Sequence, residues 1–303
     1  MWSTRTADGL VVRAPAKVNL FLEVLGKRPD GYHDLATLLV AVSLYDTLEF
    51  KEDRSTAFAL DLAPQAEATP GEARPPLSTG QENLICRAAE LLRLRTGHAG
   101  GVRVRLHKRI PLAAGLAGGS TDAAATLFGL NRLWRLGLTR ERLAELGAEL
   151  GSDVPFFFSA PAAWCTGRGE IVTPLRLGGP LWLVLACPPA GLSTAAVFRA
   201  LTIPDEPVDG RALQASVARG DVEETGRRLF NRLQTVAERL CPSVAEVARL
   251  LADCGPAGSL MSGSGTTLFA LCRGPDEARR IASRVRNARE KPVSRAYVVR
   301  SCF

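Results

Sequence analysis

The stretch PLAAGLAGGSTD at positions 111–122 constrains this chain more than any other segment, because a run of small residues opens straight into a helical pattern. Ala123, Leu127, Leu130 and Trp134 recur at helical spacing. One face of that helix is therefore apolar, and the small-residue loop sits at its N-terminus. Backbone N–H groups without helical partners and the positive end of the helix dipole then face whatever the loop encloses. Phosphate is the natural occupant. Gly115, Gly118 and Gly119 allow close backbone approach to phosphate oxygens, and Ser120 and Thr121 bring hydroxyls for phosphate or for a magnesium ion. The alternative is a glycine-rich turn that caps a core helix. Neither a GxxxxGK[ST] loop nor the protein-kinase pair HRD and DFG occurs in the chain.

Elsewhere the periodicity changes repeatedly. Val18, Leu20, Leu22 and Val24 alternate with Asn19, Phe21 and Glu23, which predicts a strand with one buried face. A turn follows at 28–31, then a strand over 41–50, an exposed Pro-, Ala- and Gly-rich loop over 63–80, a helix over 82–95 and a strand over 102–106. The basic residues from Arg103 to Arg109 read as a solvated strand face rather than a nucleic-acid surface. Beyond Gly151 the pattern restarts, with strands over 181–187, 266–272 and 293–300 and helices within 211–240, 243–254 and 275–286. Strands and helices mix without regular alternation, which predicts two α+β layers rather than a doubly wound sheet. With 303 residues, 46% of them hydrophobic, the chain has length for two cores. The predicted division is 1–160 and 161–303.

No segment reaches the roughly 20 apolar residues of a membrane span, and MWSTRTADG lacks the apolar stretch of a signal peptide, so a cytoplasmic location is expected. Cys86, Cys165, Cys187, Cys241, Cys254, Cys272 and Cys302 are scattered and never paired as CxxC; they read as buried reduced thiols. The net charge of +7 suits an anionic partner, and nucleotide phosphates qualify.

The loop resembles the PxxxGLGGGSSDAA phosphate loop of the GHMP kinases, the superfamily named for galactokinase, homoserine kinase, mevalonate kinase and phosphomevalonate kinase. APAKVNL at 14–20, RPDGYH at 28–33, LGSDVPF at 150–156 and MSGSGT at 261–266 resemble further superfamily segments in matching order. The first three resemble the branch whose acceptor carries a cytidine diphosphate. The resemblance implies a two-domain α+β GHMP kinase fold: an N-terminal ATP and phosphate-loop domain, a C-terminal α/β-sandwich domain, and the active site in the cleft between them. It implies ATP with Mg2+ as cofactors and a cytidine-diphosphate-linked small molecule as acceptor. No nucleic acid or membrane is implied as partner, and the expected state is monomer or homodimer. Another GHMP kinase acting on mevalonate, homoserine or a sugar, or a nucleic-acid-binding protein on the same fold, are the competing readings.

Residue by residue, the resemblance assigns the nucleotide to Pro111, Ala113, Ala114, Gly115, Leu116, Ala117, Gly118, Gly119, Ser120 and Thr121. Ala117 stands where the family has a glycine and Thr121 where it has a serine; the methyl at 117 calls for negative φ there. Asp153 takes the place of the base, and the apolar residues after it suggest a desolvated carboxylate. Lys17 takes the place of the cation that stabilises the forming alkoxide. Asn19 shares a strand face with Lys17 and is either a substrate ligand or a structural amide. Tyr32 is assigned to stack on the cytosine and His33 to read its Watson–Crick edge through side chain or backbone. Phe198, in STAAVF at 193–198, is either the second aromatic of a sandwich or a core residue.

Overall fold

The computed structural model describes residues 1–53, 55–64, 77–159, 161–203, 205–288 and 292–302. The chain forms two compact units, each assembled from separate segments: the first from Met1–Ala16, Leu44–Leu112 and Ala117–Phe158, the second from Lys17–Ser43, Ala113–Leu116 and Ser159–Phe303. Compared with a division at 160, residues 17–43 and 113–116 group with the C-terminal part. Most of the exposed loop expected over 63–80 lies outside the described residues.

The chain begins with strands β1 (Trp2–Thr6), β2 (Gly9–Lys27), β3 (His33–Asp53) and β4 (Phe58–Leu62), followed by helix α1 (Leu84–Thr96), strand β5 (Gly101–His107) and helices α2 (Gly118–Leu133), α3 (Arg140–Leu150) and α4 (Phe156–Ser159). In the first unit β1 runs antiparallel to the start of β2, the end of β3 antiparallel to β5, and β4 parallel to β5. Helix α2 packs on α1 and α3. Asn83 starts α1 by accepting the Ile85 N–H, and Gly97 ends it in the left-handed region at φ 70°. Gly129 lets α2 approach β3, because a Cβ there would lie 2.7 Å from the Phe50 ring.

The second half continues with β6 (Ala162–Gly167), β7 (Ile171–Pro174), β8 (Trp182–Cys187), α5 (Thr194–Arg199), α6 (Arg211–Arg219), α7 (Val222–Arg227), β9 (Phe230–Asn231), α8 (Gln234–Leu240), α9 (Pro242–Ala252), β10 (Gly258–Met261), β11 (Leu268–Cys272), α10 (Pro275–Arg286) and β12 (Arg295–Arg300). In the second unit β6 pairs antiparallel with the start of β3 and with β7, and β9 pairs parallel with β2. A separate antiparallel sheet has the order β10-β11-β8-β12. Strand β8 lies between β11 and β12 in that sheet, and Leu183, Val184, Leu185, Ala186 and Cys187 are all buried. Helices α9 and α10 pack on the sheet, and Val184, Ala186, Val247, Leu268, Ile281 and Ala282 share one core cluster.

Three expectations change. Strand β2 is buried on both faces: Lys17, Asn19, Phe21 and Glu23 are all at most 3% exposed. Strand β3 starts at His33 rather than 41, and α2 starts at Gly118 rather than after Asp122. Of the cysteines, Cys86 is half-buried and the other six are buried.

Candidate active site

The first unit holds the start of α2. Its first intrahelical N–H is that of Thr121, which donates to Ala117 O at 2.9 Å, so the N–H groups of Gly118, Gly119 and Ser120 have no acceptor in the helix ladder. Ala117 caps the helix at φ 55°, ψ 35° without a side-chain bond. The requirement for negative φ at 117 is therefore not met: the alanine takes the left-handed conformation that a glycine would adopt without strain. Gly118 and Gly119 differ in kind. A Cβ at Gly118 would meet Lys108 Nζ at 2.9 Å, whereas one at Gly119 would find only Leu84 Cδ1 at 3.5 Å. A side chain at 118 would thus press on the Lys108 ammonium and on Ile110, whereas one at 119 would not. Gly119 is exposed, Pro111 buried and Ser120 half-buried, and the Thr121 hydroxyl is buried without a hydrogen-bond partner.

Behind this turn lies a buried charge cluster. Lys108 Nζ donates to Asp46 Oδ2 at 2.5 Å and to Asp122 Oδ2 at 2.6 Å, with all three side chains at most 5% exposed. Asp46 Oδ1 accepts the N–H groups of Arg109 at 2.6 Å and Ile110 at 2.9 Å. Burial disfavours the Lys108 ammonium, but Asp122 and Asp46 outweigh it and hold its pKa above the ordinary 10.5. Burial pushes the Asp122 carboxyl well above 3.8, against the pull of Lys108.

Also in the first unit, Asp153 lies half-buried in the turn between α3 and α4, while Val154, Phe156, Phe157 and Phe158 are buried. The apolar residues fill the core and leave Asp153 partly open to solvent. Gly147 admits this packing, since a Cβ there would lie 2.7 Å from Val154 Cγ1.

The second unit brings Lys17 and Asn19 together with the second glycine segment. Lys17 Nζ donates to Asn19 Oδ1 at 2.7 Å, and the Asn19 amide donates to Thr37 Oγ1 at 2.9 Å. Thr37 in turn donates to Phe21 O. The Asn19 N–H donates to Ser262 Oγ at 3.3 Å, and that hydroxyl donates to Gly115 O at 2.9 Å. Gly115, at φ 74°, could carry no side chain, because a Cβ would fall 2.1 Å from Ser262 O. The neighbouring loop residues are tied in through their carbonyls: Leu116 O accepts the Lys17 N–H at 3.2 Å and Ala114 O the Thr267 N–H at 3.3 Å, while Ala113 is exposed at φ 48°. Asn231 braces the glycine segment by donating to Met261 O and Gly263 O, both at 2.8 Å.

The aromatic group lies in the same unit. The turn over 28–31 closes with Gly31 N–H on Arg28 O at 3.1 Å, and the Tyr32 N–H donates to Asp30 Oδ1 at 3.1 Å. Tyr32 is 53% exposed, with the Arg168 guanidinium 4.8 Å from its ring centre. His33 stacks on Phe198. Phe198 also packs against the core cluster, which agrees with the core-residue reading given to it. Burial, reinforced by Lys27, holds the His33 pKa below its ordinary 6.5.

Sequence reasoning missed Thr37, Asn231, Asp46, Lys108, Asp122 and Arg168. Asp46 and Lys108 did leave a trace. Asp46 shares its parity on β3 with buried Leu44, Leu48 and Phe50, and Lys108 continues the parity of buried Val102, Val104 and Leu106: opposite charges on the apolar faces of two paired strands. The solvated reading of the basic strand holds for Arg103, which is exposed and pairs with Asp61 at 3.1 Å; Lys108 is the exception.

GHMP kinases N terminal domain is the family description that matches residues 83–160, and GHMP kinases C terminal matches 213–291. The chain belongs to the GHMP kinase family, and it is accordingly a kinase that takes ATP as its phosphoryl donor. Its curated relatives include the 4-diphosphocytidyl-2-C-methyl-D-erythritol kinase of Pelotomaculum thermopropionicum, 42% identical over 92% of this chain and 94% of that one. The enzyme of the same name from Symbiobacterium thermophilum is 43% identical over 96% of this chain and 99% of its own. A crystal structure of 4-(cytidine 5'-diphospho)-2C-methyl-D-erythritol kinase superposes with a TM-score of 0.78 at 37% identity, covering 97% of this chain and 99% of that one. The two-domain α+β expectation is thereby borne out. Among the described residues no helix is long and apolar enough to cross a membrane.

Proposed function

We propose that this kinase transfers the γ-phosphoryl group of ATP to the 2-hydroxyl of 4-diphosphocytidyl-2-C-methyl-D-erythritol, yielding the 2-phosphate and ADP in the non-mevalonate route to isoprenoid precursors, a cytoplasmic reaction. The acceptor follows from the similarity to enzymes of that name along nine-tenths or more of the chain. The observation that carries the nucleotide half is Gly119. The fold leaves room for a side chain there, and glycine weakens a helix by about 0.8–1.0 kcal/mol relative to alanine. A bare Cα beside three N–H groups outside the helix ladder suits phosphate oxygens.

The chemistry requires alignment and charge neutralisation more than covalent work. Asp153 accepts the hydroxyl proton as the acceptor oxygen bonds to the γ-phosphorus and the bond from that phosphorus to the bridging oxygen of ADP breaks. Lys17, held in place by Asn19, stabilises the developing alkoxide. Tyr32, His33 and Phe198 receive the cytosine. Mg2+ is held mainly by phosphates and water, and it would neutralise phosphate charge. The hydroxyl oxygens of Ser120 and Thr121 are of the right hardness for it, and the unpartnered Thr121 hydroxyl fits that use. Among the described residues no cluster of three or more His, Cys, Asp and Glu forms a protein-only cage.

A coupled ADP-release assay tests the reading, comparing the cytidyl acceptor with mevalonate, homoserine and galactose. Turnover confined to the cytidyl acceptor supports it, and preferred turnover of any other overturns it. Asp153→Asn should lower kcat by roughly 10² to 10⁴ while ATP binding persists; near-normal turnover would remove Asp153 from the mechanism.

A further inference from the structure

The glycine loop over 111–121 is bracketed by the two segments that meet at one buried ammonium. Before it, Lys108 donates to both carboxylates and the backbone of Arg109 and Ile110 donates to Asp46. After it, Asp122 lies on α2 just past the first turn. Asp46 anchors the assembly to β3. We propose that Lys108, with Asp46 and Asp122, is a positioning group for the nucleotide phosphates: it clamps the two ends of the loop together and so fixes the α2 N–H groups in their binding geometry. This rests on the phosphate-binding reading of that helix end.

Three observations support a role beyond stability. Lys108 Nζ lies 2.9 Å from where a Cβ on Gly118 would stand, so the ammonium sits directly beside the first residue of α2. One cation serves two carboxylates, an arrangement that burial disfavours and that is weak evidence for a stabilising role. Lastly, Asp122 Oδ1 and Thr121 Oγ1, on consecutive residues of α2, are buried without partners, and unmet polar groups of this kind concentrate where strain serves a site. Closing the loop in advance removes ordering entropy that ATP binding would otherwise have to supply.

The test uses the whole chain as Lys108→Met, Asp46→Asn and the double variant Lys108→Met/Asp122→Asn, the last removing one carboxylate along with the cation. Thermal melting, steady-state kinetics for ATP and acceptor, and amide hydrogen exchange would be measured. Lys108→Met should raise the ATP KM by roughly ten- to a hundredfold, leave the acceptor KM within about twofold, and speed exchange at Thr121, the first hydrogen-bonded N–H of α2, but not in α9. A merely structural role would lower the melting temperature without separating the two KM values. If Lys108→Met does not fold, the double variant and the isosteric Asp46→Asn carry the same expectation. An ATP KM within about twofold of the parent in any folded variant lacking Lys108 or the Asp46 charge overturns the clamp. Gly119→Ala separates the two levels. If it leaves the ATP KM unchanged, the phosphate-binding reading itself fails; if it raises the ATP KM while the clamp variants do not, only the clamp fails.

Discussion

The imidazole of His33 lies on the ring of Phe198, with 4.9 Å between centroids and 30° between planes. One face of Phe198 is thus covered by the residue assigned to read the base, while Tyr32 on the adjoining turn has Arg168 against its ring. Base–aromatic stacking contributes about 1–3 kcal/mol, so Tyr32→Ala should weaken the cytidyl acceptor by roughly 5- to 150-fold. Tyr32→Phe should keep most of the binding, because the π-face survives. Steady-state kinetics on both substrates decide: an unchanged acceptor KM, or equal damage to ATP binding, would remove Tyr32 from the base site.

His33 gives a pH signature. Its pKa is held below 6.5 by burial and by Lys27, so the ring stays neutral at neutral pH and gains a proton only in more acidic solution. The acceptor KM should therefore stay flat as pH falls through 6.5 and rise only below it. His33→Gln should remove that rise without altering the pH dependence of the ATP KM. A rise already complete at neutral pH would contradict the assignment.

Ala117 stores strain that can be released. A non-glycine residue in the left-handed region costs about 1–2 kcal/mol, and glycine's extra unfolded-state freedom offsets about 0.5–1 kcal/mol of the relief. Ala117→Gly should therefore stabilise the protein by up to about 1 kcal/mol in urea unfolding with kcat little changed. Destabilisation would mean that the turn at 117 differs from φ 55°.

Asp122 links stability to pH through its raised folded-state pKa. Its contribution is fully present below the unfolded value of 3.8 and is lost as pH rises through the folded value. Asp122→Asn removes this dependence. Its stability relative to the parent should increase with pH above 3.8 and then level off. Urea unfolding of both proteins across that range measures it; a pH-independent difference would refute the raised pKa.

Glu23 behaves oppositely. Burial raises its pKa, but Arg232 and the N–H groups of Val208 and Val24 overcome this and lower it below 4.5, so its contribution is present above 4.5 and lost as pH falls through the folded value. Arg232→Met leaves a buried carboxylate without its cation and should cost about 3–5 kcal/mol. Adding Glu23→Gln should restore much of that. Chemical denaturation of the single and double variants tests the pair, and a small effect of Arg232→Met would show that Glu23 is solvated.

What the sequence made legible were features encoded by neighbours in the chain. The glycine loop running into α2, the apolar run of β8 and the turn before Tyr32 each carry their signal within a dozen residues. The two-sided burial of β2 did not, because Asn19 and Glu23 are satisfied by Thr37, Ser262 and Arg232, partners that no local pattern links to them. Polar residues at alternate positions suggested a solvated face, and distant hydrogen bonds buried it instead. The charge cluster was concealed for the same reason. Lys108 counted as one more basic residue until Asp46 and Asp122 were brought to it, although its parity with buried Val102, Val104 and Leu106 already marked it as facing inward.

The order in which a ribosome delivers the chain gives the second unit an unusual dependency. Strand β9 pairs with β2, β6 pairs with the start of β3, Val42 bridges to Ser301, and the Cys302 N–H donates to Ala41 O at 2.8 Å. Residues 17–43 precede these partners in the chain and thus remain without them until the later residues are translated. During synthesis they present apolar strand edges open to chaperones or to a neighbouring nascent chain. The segment bearing Lys17 and Asn19 is made well before the strands that complete its sheet.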